Sequence, residues 1–278
     1  MDILERNKKQ IISEYLNGKA ATRIARDYNV NHATIIYLLK KEGIKIRTVK
    51  DLRIKYNEDF FTTKSNELYY FWGFILGDGN LSIQKNRPTH IDITLQEEDI
   101  SILEKFCNWL NISTSNIKHY TQKKNGRTYC RLCIYSDNIK GDLSRYGIVA
   151  RKTYNAITPN IPKKYMRPFI LGLLDADGHI SLDPIKKIYG IEIVGHPIIM
   201  DWYEKQLRSF GYKGDAKYQF PKGKWKRIRM RRKGDFFNLI GLLKIQRYYP
   251  LLLERKWKNA NDFLNGDLDI IDFRLRDR

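Results

Sequence analysis

The sequence predicts an α+β protein: a small all-α module, then two αββαββα units. Three observations carry this prediction. An apolar helix-ending segment occurs twice, as FWGFILGDGNLS (71–82) and ILGLLDADGHIS (170–181), in register without gaps. After each copy the pattern switches to the two-residue alternation of a strand and then to helical spacing, in the same order both times. The first 47 residues hold an apolar pattern of their own. The boundaries that follow are 1–47 for the all-α module, 48–64 for a linker, and 65–158 and 159–278 for the two units.

In the first module, KKQIISEYLNGKAATRIARDYNVNHATIIYLLKKEGI reads as a helix ending at Gly18, a short helix from Ala20 to Tyr28, a tight turn at Asn29-Val30 and a helix from about His32 to Lys41. Ile11, Ile12, Tyr15, Ile24, Ala25, Val30, Ile35 and Leu38 form its expected core. The plan resembles the helix-turn-helix of resolvase and invertase DNA-binding domains. That resemblance implies a last helix lying in the major groove, with Asn31, His32, Thr34 and Tyr37 contacting bases or phosphates. A three-helix protein-interaction module is the other reading of the same pattern. The stretch from Thr48 to Lys64 is charged and weakly patterned, and its Phe60-Phe61 pair predicts that one end docks on the unit that follows.

The paired segments pose a physical problem. Small residues four apart (Gly73 and Gly77; Gly172 and Ala176) strip side chain from one stripe of each helix, so two such helices can meet backbone to backbone. The apolar runs are too short for a bilayer, because Asp78 and Asp177 interrupt them. Gly79 and Gly178 are expected to end the helices as left-handed caps. Each aspartate then faces the negative end of a helix dipole, and packing the helices brings two like charges together. A divalent cation resolves the conflict, and oxygen-only ligands suit Mg²⁺. One Asp-Gly pair would be no more than a helix terminus; two in register ask for a shared role.

These segments resemble the paired LAGLIDADG motifs of homing endonucleases. LGLLDADG is close to the family consensus, whereas Leu76 and Gly77 of the first copy replace the usual Asp and Ala; the eighth position is still Asp78. The resemblance implies that Asp78 and Asp177 bind the catalytic metals and that Asp175, at the sixth position, is structural. It also implies that Gln96 and Lys152 in one half, and His196 and Lys256 in the other, organise water and the scissile phosphate. Without the resemblance, Gln96 reads as an N-terminal helix residue and the lysines as solvated charges. The resemblance spans about Ser65 to Phe263 and implies that the two units' sheets form one saddle-shaped DNA-binding surface, in a single-chain, monomeric, Mg²⁺-dependent endonuclease cutting both strands of a long, non-palindromic double-stranded DNA target. Relatives that keep the scaffold as DNA-binding regulators or RNA-splicing cofactors typically lose a motif aspartate or the basic helpers. Both aspartates, two lysines and Gln96 stand here.

Downstream, HIDITLQEEDISILEKFCNWL and GIEIVGHPIIMDWYEKQLRSFGY each read as a strand and an amphipathic helix, with Ile91, Ile93 and Leu95, then Ile191 and Ile193, pointing inward. A basic hairpin follows each, turning at Asn125-Gly126 and near Lys222-Gly223. Both units are expected to close in a helix, the Arg-Lys pair recurring at Arg151-Lys152 and Arg255-Lys256. Arg127, Tyr129 and Arg131 share one hairpin face, and Trp225, Arg227, Arg229 and Arg231 share the other, so each sheet has an apolar face and a basic, aromatic face able to lie along DNA. A solvated sheet guarded by charge is the plainer reading. The chain carries 51 Lys and Arg against 31 Asp and Glu, net +20, a field suited to a polyphosphate ligand and of no use toward small neutral metabolites. Three cysteines, with no signal peptide and no membrane-spanning run, predict a reducing intracellular setting. Cys130 and Cys133 fall on opposite faces of a strand, which argues against a CxxC zinc site.

Overall fold

The structure, a computed structural model, describes residues 3–47, 56–82, 90–135, 143–152, 154–183, 185–213 and 225–266. Two compact units are present, within residues 1–53 and 54–278. The first contains α1 (Ile3–Leu16), α2 (Ala21–Asp27) and α3 (His32–Lys41). Its corners fall at Gly18 (φ 98°) and Asn29 (φ 52°), residue types that tolerate left-handed backbone. Ile11, Tyr15, Ile24, Ala25, Ile35 and Leu38 are buried in its core, joined by Leu4, Ala21 and Leu39, while Ile12 and Val30 pack at the edge.

The second unit runs α4 (Asp59–Thr62), α5 (Asn66–Gly77), β1 (Gly79–Ser82), β2 (His90–Gln96), α6 (Ile100–Leu110), β3 (Lys118–Thr121) and β4 (Thr128–Tyr135). It continues with α7 (Met166–Asp177), β5 (Gly178–Asp183), β6 (Ile188–Gly195), α8 (Pro197–Ser209), β7 (Lys226–Met230), α9 (Lys233–Leu243), α10 (Ile245–Tyr248) and α11 (Glu254–Asn265). Phe60 of α4 meets Phe71 edge-on at 5.6 Å and stacks on Trp109 at 6.3 Å, tying this end of the inter-unit segment into the second unit.

α5 is buried continuously from Leu68 to Leu76, and α7 is nearly so, because each is covered on all sides rather than along one stripe. They cross at the glycines. A Cβ on Gly73 would collide with the backbone of Phe169 (carbonyl carbon at 2.8 Å), and one on Gly172 with Tyr70 and Phe74 (amide nitrogen of Phe74 at 2.9 Å).

The sheets are antiparallel, ordered β1-β2-β4-β3 and β5-β6-β7 among the described residues. Their registers correspond: Gly79 faces Ile93 and Gly178 faces Ile193, while Ile93 faces Leu132 and Ile193 faces Ile228. By that register Asp92 matches Glu192, Gln96 matches His196, Arg131 matches Arg227 and Cys133 matches Arg229. Ile91, Ile93, Leu95, Leu132 and Ile134 bury one face of the first sheet, and Ile191, Ile193, Ile228 and Met230 one face of the second.

Several details differ from the sequence expectations. Gly79 and Gly178 are not left-handed; Gly178 is extended (φ −86°, ψ 151°). They are glycine because the strand doubles back on its own helix, where a Cβ on Gly79 would lie 2.8 Å from Ile75 Cα and one on Gly178 would strike Leu174. The first hairpin turns at Asn125-Gly126 as expected, though not by a two-residue loop. Gln122 to Arg127 form a longer loop in which Gly126 alone is left-handed (φ 67°) and its N–H donates to the Gln122 carbonyl at 2.9 Å. The turn expected near Lys222-Gly223 lies outside the described residues. The two closures are unlike: Lys256 sits in the first turn of α11, whereas Lys152 sits in a turn beside left-handed Arg151 (φ 55°). Gly147, also left-handed (φ 76°), lies only four residues before Arg151, and two left-handed residues so close interrupt a helix there. α9 is an element beyond the expected αββαββα plan, and its Phe236, Leu239, Ile240 and Leu243 follow helical spacing and are buried.

Candidate active site

Asp78 caps the C-terminus of α5 and Asp177 is the last residue of α7, so the glycine crossing delivers both carboxylates to the same end of the helix pair. The Asp177 carboxylate lies over Gly77, whose absent Cβ would be 3.2 Å from Asp177 Cγ. Both aspartates keep an open side to solvent, while protein crowds the rest of their surroundings. That crowding raises both carboxyls above their usual range. Asp177 is pushed up to about 6, first by desolvation and then by the charge of Asp78. Asp78 is raised by desolvation with Asp99 adding to it, against the pull of Lys256 and Lys152.

The two lysines expected at the site are both there, and both donate to main-chain carbonyls at the helix ends. Lys152 Nζ donates to the Ile75 carbonyl at 2.7 Å and to the Gly77 carbonyl. Lys256 Nζ donates to the carbonyls of Asp175 and, at 2.7 Å, Gly178. Each ammonium thus satisfies carbonyls that a helix terminus leaves without partners, and each puts positive charge at the negative end of a dipole. Burial drops Lys152 to about 8 against the upward pull of Asp177 and Asp78, and it lowers Lys256 as well.

Asp175 is 1% exposed. It accepts from Tyr70 Oη of α5 at 2.5 Å, from the Leu253 N–H at 2.8 Å and from Trp257 Nε1, which joins α7, α5 and α11 through one carboxylate. Burial pushes it up to about 6 despite these three donors. In the first motif the equivalent residue is Leu76, buried among apolar neighbours.

Gln96 ends β2, exposed, opposite Tyr129. His196 caps α8, its Nδ1 accepting from the Ile198 N–H at 3.3 Å. It also lines a cleft of about 220 Å³ shared with Asp177, Lys152, Met200 and Trp225. Sequence spacing missed one contact beside these groups: Arg255 clamps Asp99 through Nε at 2.8 Å and Nη2 at 2.9 Å, fixing the start of α11 to the start of α6. The residues are 156 apart and no local pattern links them.

Of the residues expected to touch nucleic acid, Arg127 precedes β4 and is exposed, as is Arg131, while Tyr129 is half-buried and stacks on Tyr120 at 5.7 Å. Arg131 grips Asp92 with Nε at 2.8 Å and with Nη2. On the second sheet Trp225 and Arg231 flank β7 and are exposed. Arg227 and Arg229 both reach Glu192, at 3.1 and 3.0 Å. The basic faces are therefore partly self-neutralised by Asp92 and Glu192, which the sequence reading did not single out. In the first unit His32 and Tyr37 are exposed on α3 and Thr34 is half-buried. Asn31 is the N-cap of that helix: its side chain accepts from the Ala33 N–H at 2.8 Å, so its oxygen is engaged locally rather than offered outward.

No family model and no curated protein matches the chain. Among solved structures, the LAGLIDADG meganuclease I-AabMI bound to uncleaved DNA is similar with a TM-score of 0.44 at 13% identity, over 72% of this chain and 91% of that one. Meganuclease I-SmaMI bound to uncleavable DNA gives 0.46 at 13% identity, over 73% and 89%. Mesophilic variants of the homing endonuclease I-DmoI give 0.41 at 17% identity, over 64% and 94%. Among the described residues no helix is long and apolar enough to cross a membrane.

Proposed function

We propose that the chain is a site-specific, divalent-metal-dependent endonuclease that hydrolyses one phosphodiester on each strand of a long double-stranded DNA site. The observation that carries this reading is the pair of carboxylates, Asp78 and Asp177, set side by side at the ends of two helices in backbone contact. Their repulsion, with Lys152 and Lys256 both donating to main-chain carbonyls, leaves a site suited to a small hard cation. Mg²⁺ held there would supply Lewis acidity, activating water and stabilising the leaving oxygen.

The chain's own groups do the rest. The glycine crossing fixes the separation of the two carboxylates. Lys152 and Lys256 hold the helix ends in place and, being positive, keep the aspartates ionised near neutral pH. Gln96 and His196 match by strand register, and in this reading they position the scissile groups. The arginines and tyrosines of the sheet faces bind the duplex, one half of the site to each of the units 65–158 and 159–278. The module at 1–47, tethered through 48–64, reads further bases with α3 and raises the local concentration of the second unit on the same duplex. A single chain supplies both halves, so a monomer suffices.

The test is cleavage of a randomised DNA library by the full chain with Mg²⁺, beside Ca²⁺ and the single variants Asp78→Asn and Asp177→Asn. Discrete double-strand cuts are expected with Mg²⁺. Each variant should lose roughly a thousandfold in cutting, the effect of several kcal/mol of transition-state stabilisation. Site-specific binding with neither cut nor nick under any divalent metal would sink this reading in favour of a non-cleaving DNA-binding or RNA-splicing role.

A further inference from the structure

We infer that the open face of the first sheet carries a separate metal site of zinc type, formed by His90, Asp92 and Cys133. A ligand atom from each lies within 4.8 Å of the others. Strand register explains the clustering: Asp92 and Cys133 face each other across β2 and β4, and His90, two residues along β2, projects from the same face. All three are half-buried, so they are held by the sheet yet open to an ion arriving from solvent.

The chemistry of the set is selective. Imidazole, carboxylate and thiol together suit Zn²⁺ with a fourth position for water, and they do not suit Mg²⁺, which prefers oxygen alone. Among the described residues His90 Nδ1 is buried without a hydrogen-bond partner, an uncommon state for a buried polar atom. Arg131 grips Asp92 through both carboxylate oxygens but does not exhaust them, because each oxygen has a second lone pair. The guanidinium would be the outer partner that orients a ligating carboxylate.

The second sheet supplies an internal comparison. There the carboxylate is Glu192, and Arg229 stands where the first sheet has Cys133, with Gly190 where it has His90. Glu192 is gripped by two guanidinium groups, Arg227 and Arg229. Asp92 has one, and at the place of the second cation the first sheet holds a set of ligands for one. With a divalent ion and a thiolate in place, both clusters carry a single net positive charge. This inference needs only the fold of the second unit. If the face also lies against DNA, the ion contributes to the same positive surface.

The test is titration of the full chain with Co²⁺, read in the near ultraviolet for the sulfur-to-cobalt charge-transfer band. The band is expected to saturate at one equivalent, to disappear when Zn²⁺ is added, and to be lost in Cys133→Ser and in His90→Ala. It should persist in the double variant Asp78→Asn, Asp177→Asn, which separates this site from the proposed catalytic one. Zn²⁺ should raise the Tm of the parent chain and leave that of Cys133→Ser unchanged. Circular dichroism checks folding, and His90→Gln replaces His90→Ala if the latter does not fold. Absence of the sulfur band, its survival in Cys133→Ser, or its loss in the double aspartate variant would each overturn the inference.

Discussion

Asp177 and Asp175 lie two positions apart on one helix, and burial raises both carboxyls while different partners surround them. Asp177 is held near 6, above its unfolded value of 3.8. The folded state therefore binds its proton more tightly, and the stability it contributes is present below about pH 4 and lost as pH rises through 6. Without divalent ions, Asp177→Asn is expected to raise the Tm at pH 7 and to change it little at pH 4; a lowered Tm at pH 7 would refute the claim that this carboxylate is a native-state liability. Asp175 instead gathers three buried donors. Asp175→Leu copies the first motif's Leu76 but orphans Tyr70 Oη, the Leu253 N–H and Trp257 Nε1, so we expect a loss of about 3–5 kcal/mol by urea denaturation. The pairing of Asp78 with Asp177 was readable in the sequence because the two segments align without gaps. The opposite was true of His90, Asp92 and Cys133, which meet only once β2 and β4 are in register, and of Asn31, whose capping role competes with the outward contact its position suggests.

At the scale of elements, the helices and strands follow from periodicity, and the errors fall where the chain reverses. Apolar alternation placed Ile91, Ile93, Ile191 and Ile193 inward correctly because a sheet with one buried face has little choice of register. The reason for Gly79 and Gly178 was misread because a steric demand from a preceding helix turn looks, in sequence, like a demand for left-handed backbone. The same glycines separate helix propensity from packing. Gly172→Ala puts a methyl on the backbone of α5 and is expected to destabilise by more than about 3 kcal/mol, overpacking that no rotamer can relieve. Gly241, in α9 with nothing within 4 Å of its absent Cβ, should gain about 0.5–1 kcal/mol on the same change. Chemical denaturation of the two variants side by side checks both signs.

Over the whole molecule, a net charge of +20 announces a polyanionic partner, yet the sheet faces do not present that charge freely. Asp92 and Glu192 engage the arginines that nonspecific phosphate would otherwise attract. Glu192→Gln is expected to tighten binding to random-sequence DNA at low salt and to steepen the slope of log K against log salt by about one for each arginine that turns to phosphate. An unchanged slope would show that the carboxylate does not restrain them. Composition could announce the field but not this restraint, since which acid meets which arginine is decided across strands. The helix crossing has a consequence of another kind. Its spacing is set by backbone atoms at Gly73, Phe169, Tyr70 and Gly172, so no side chain is available there to be traded for a larger or smaller one. Residues on the two sheets can be exchanged without touching that crossing, so the interval between the two carboxylates is independent of whatever the sheets present: the molecule carries a variable vocabulary on a ruler of fixed length.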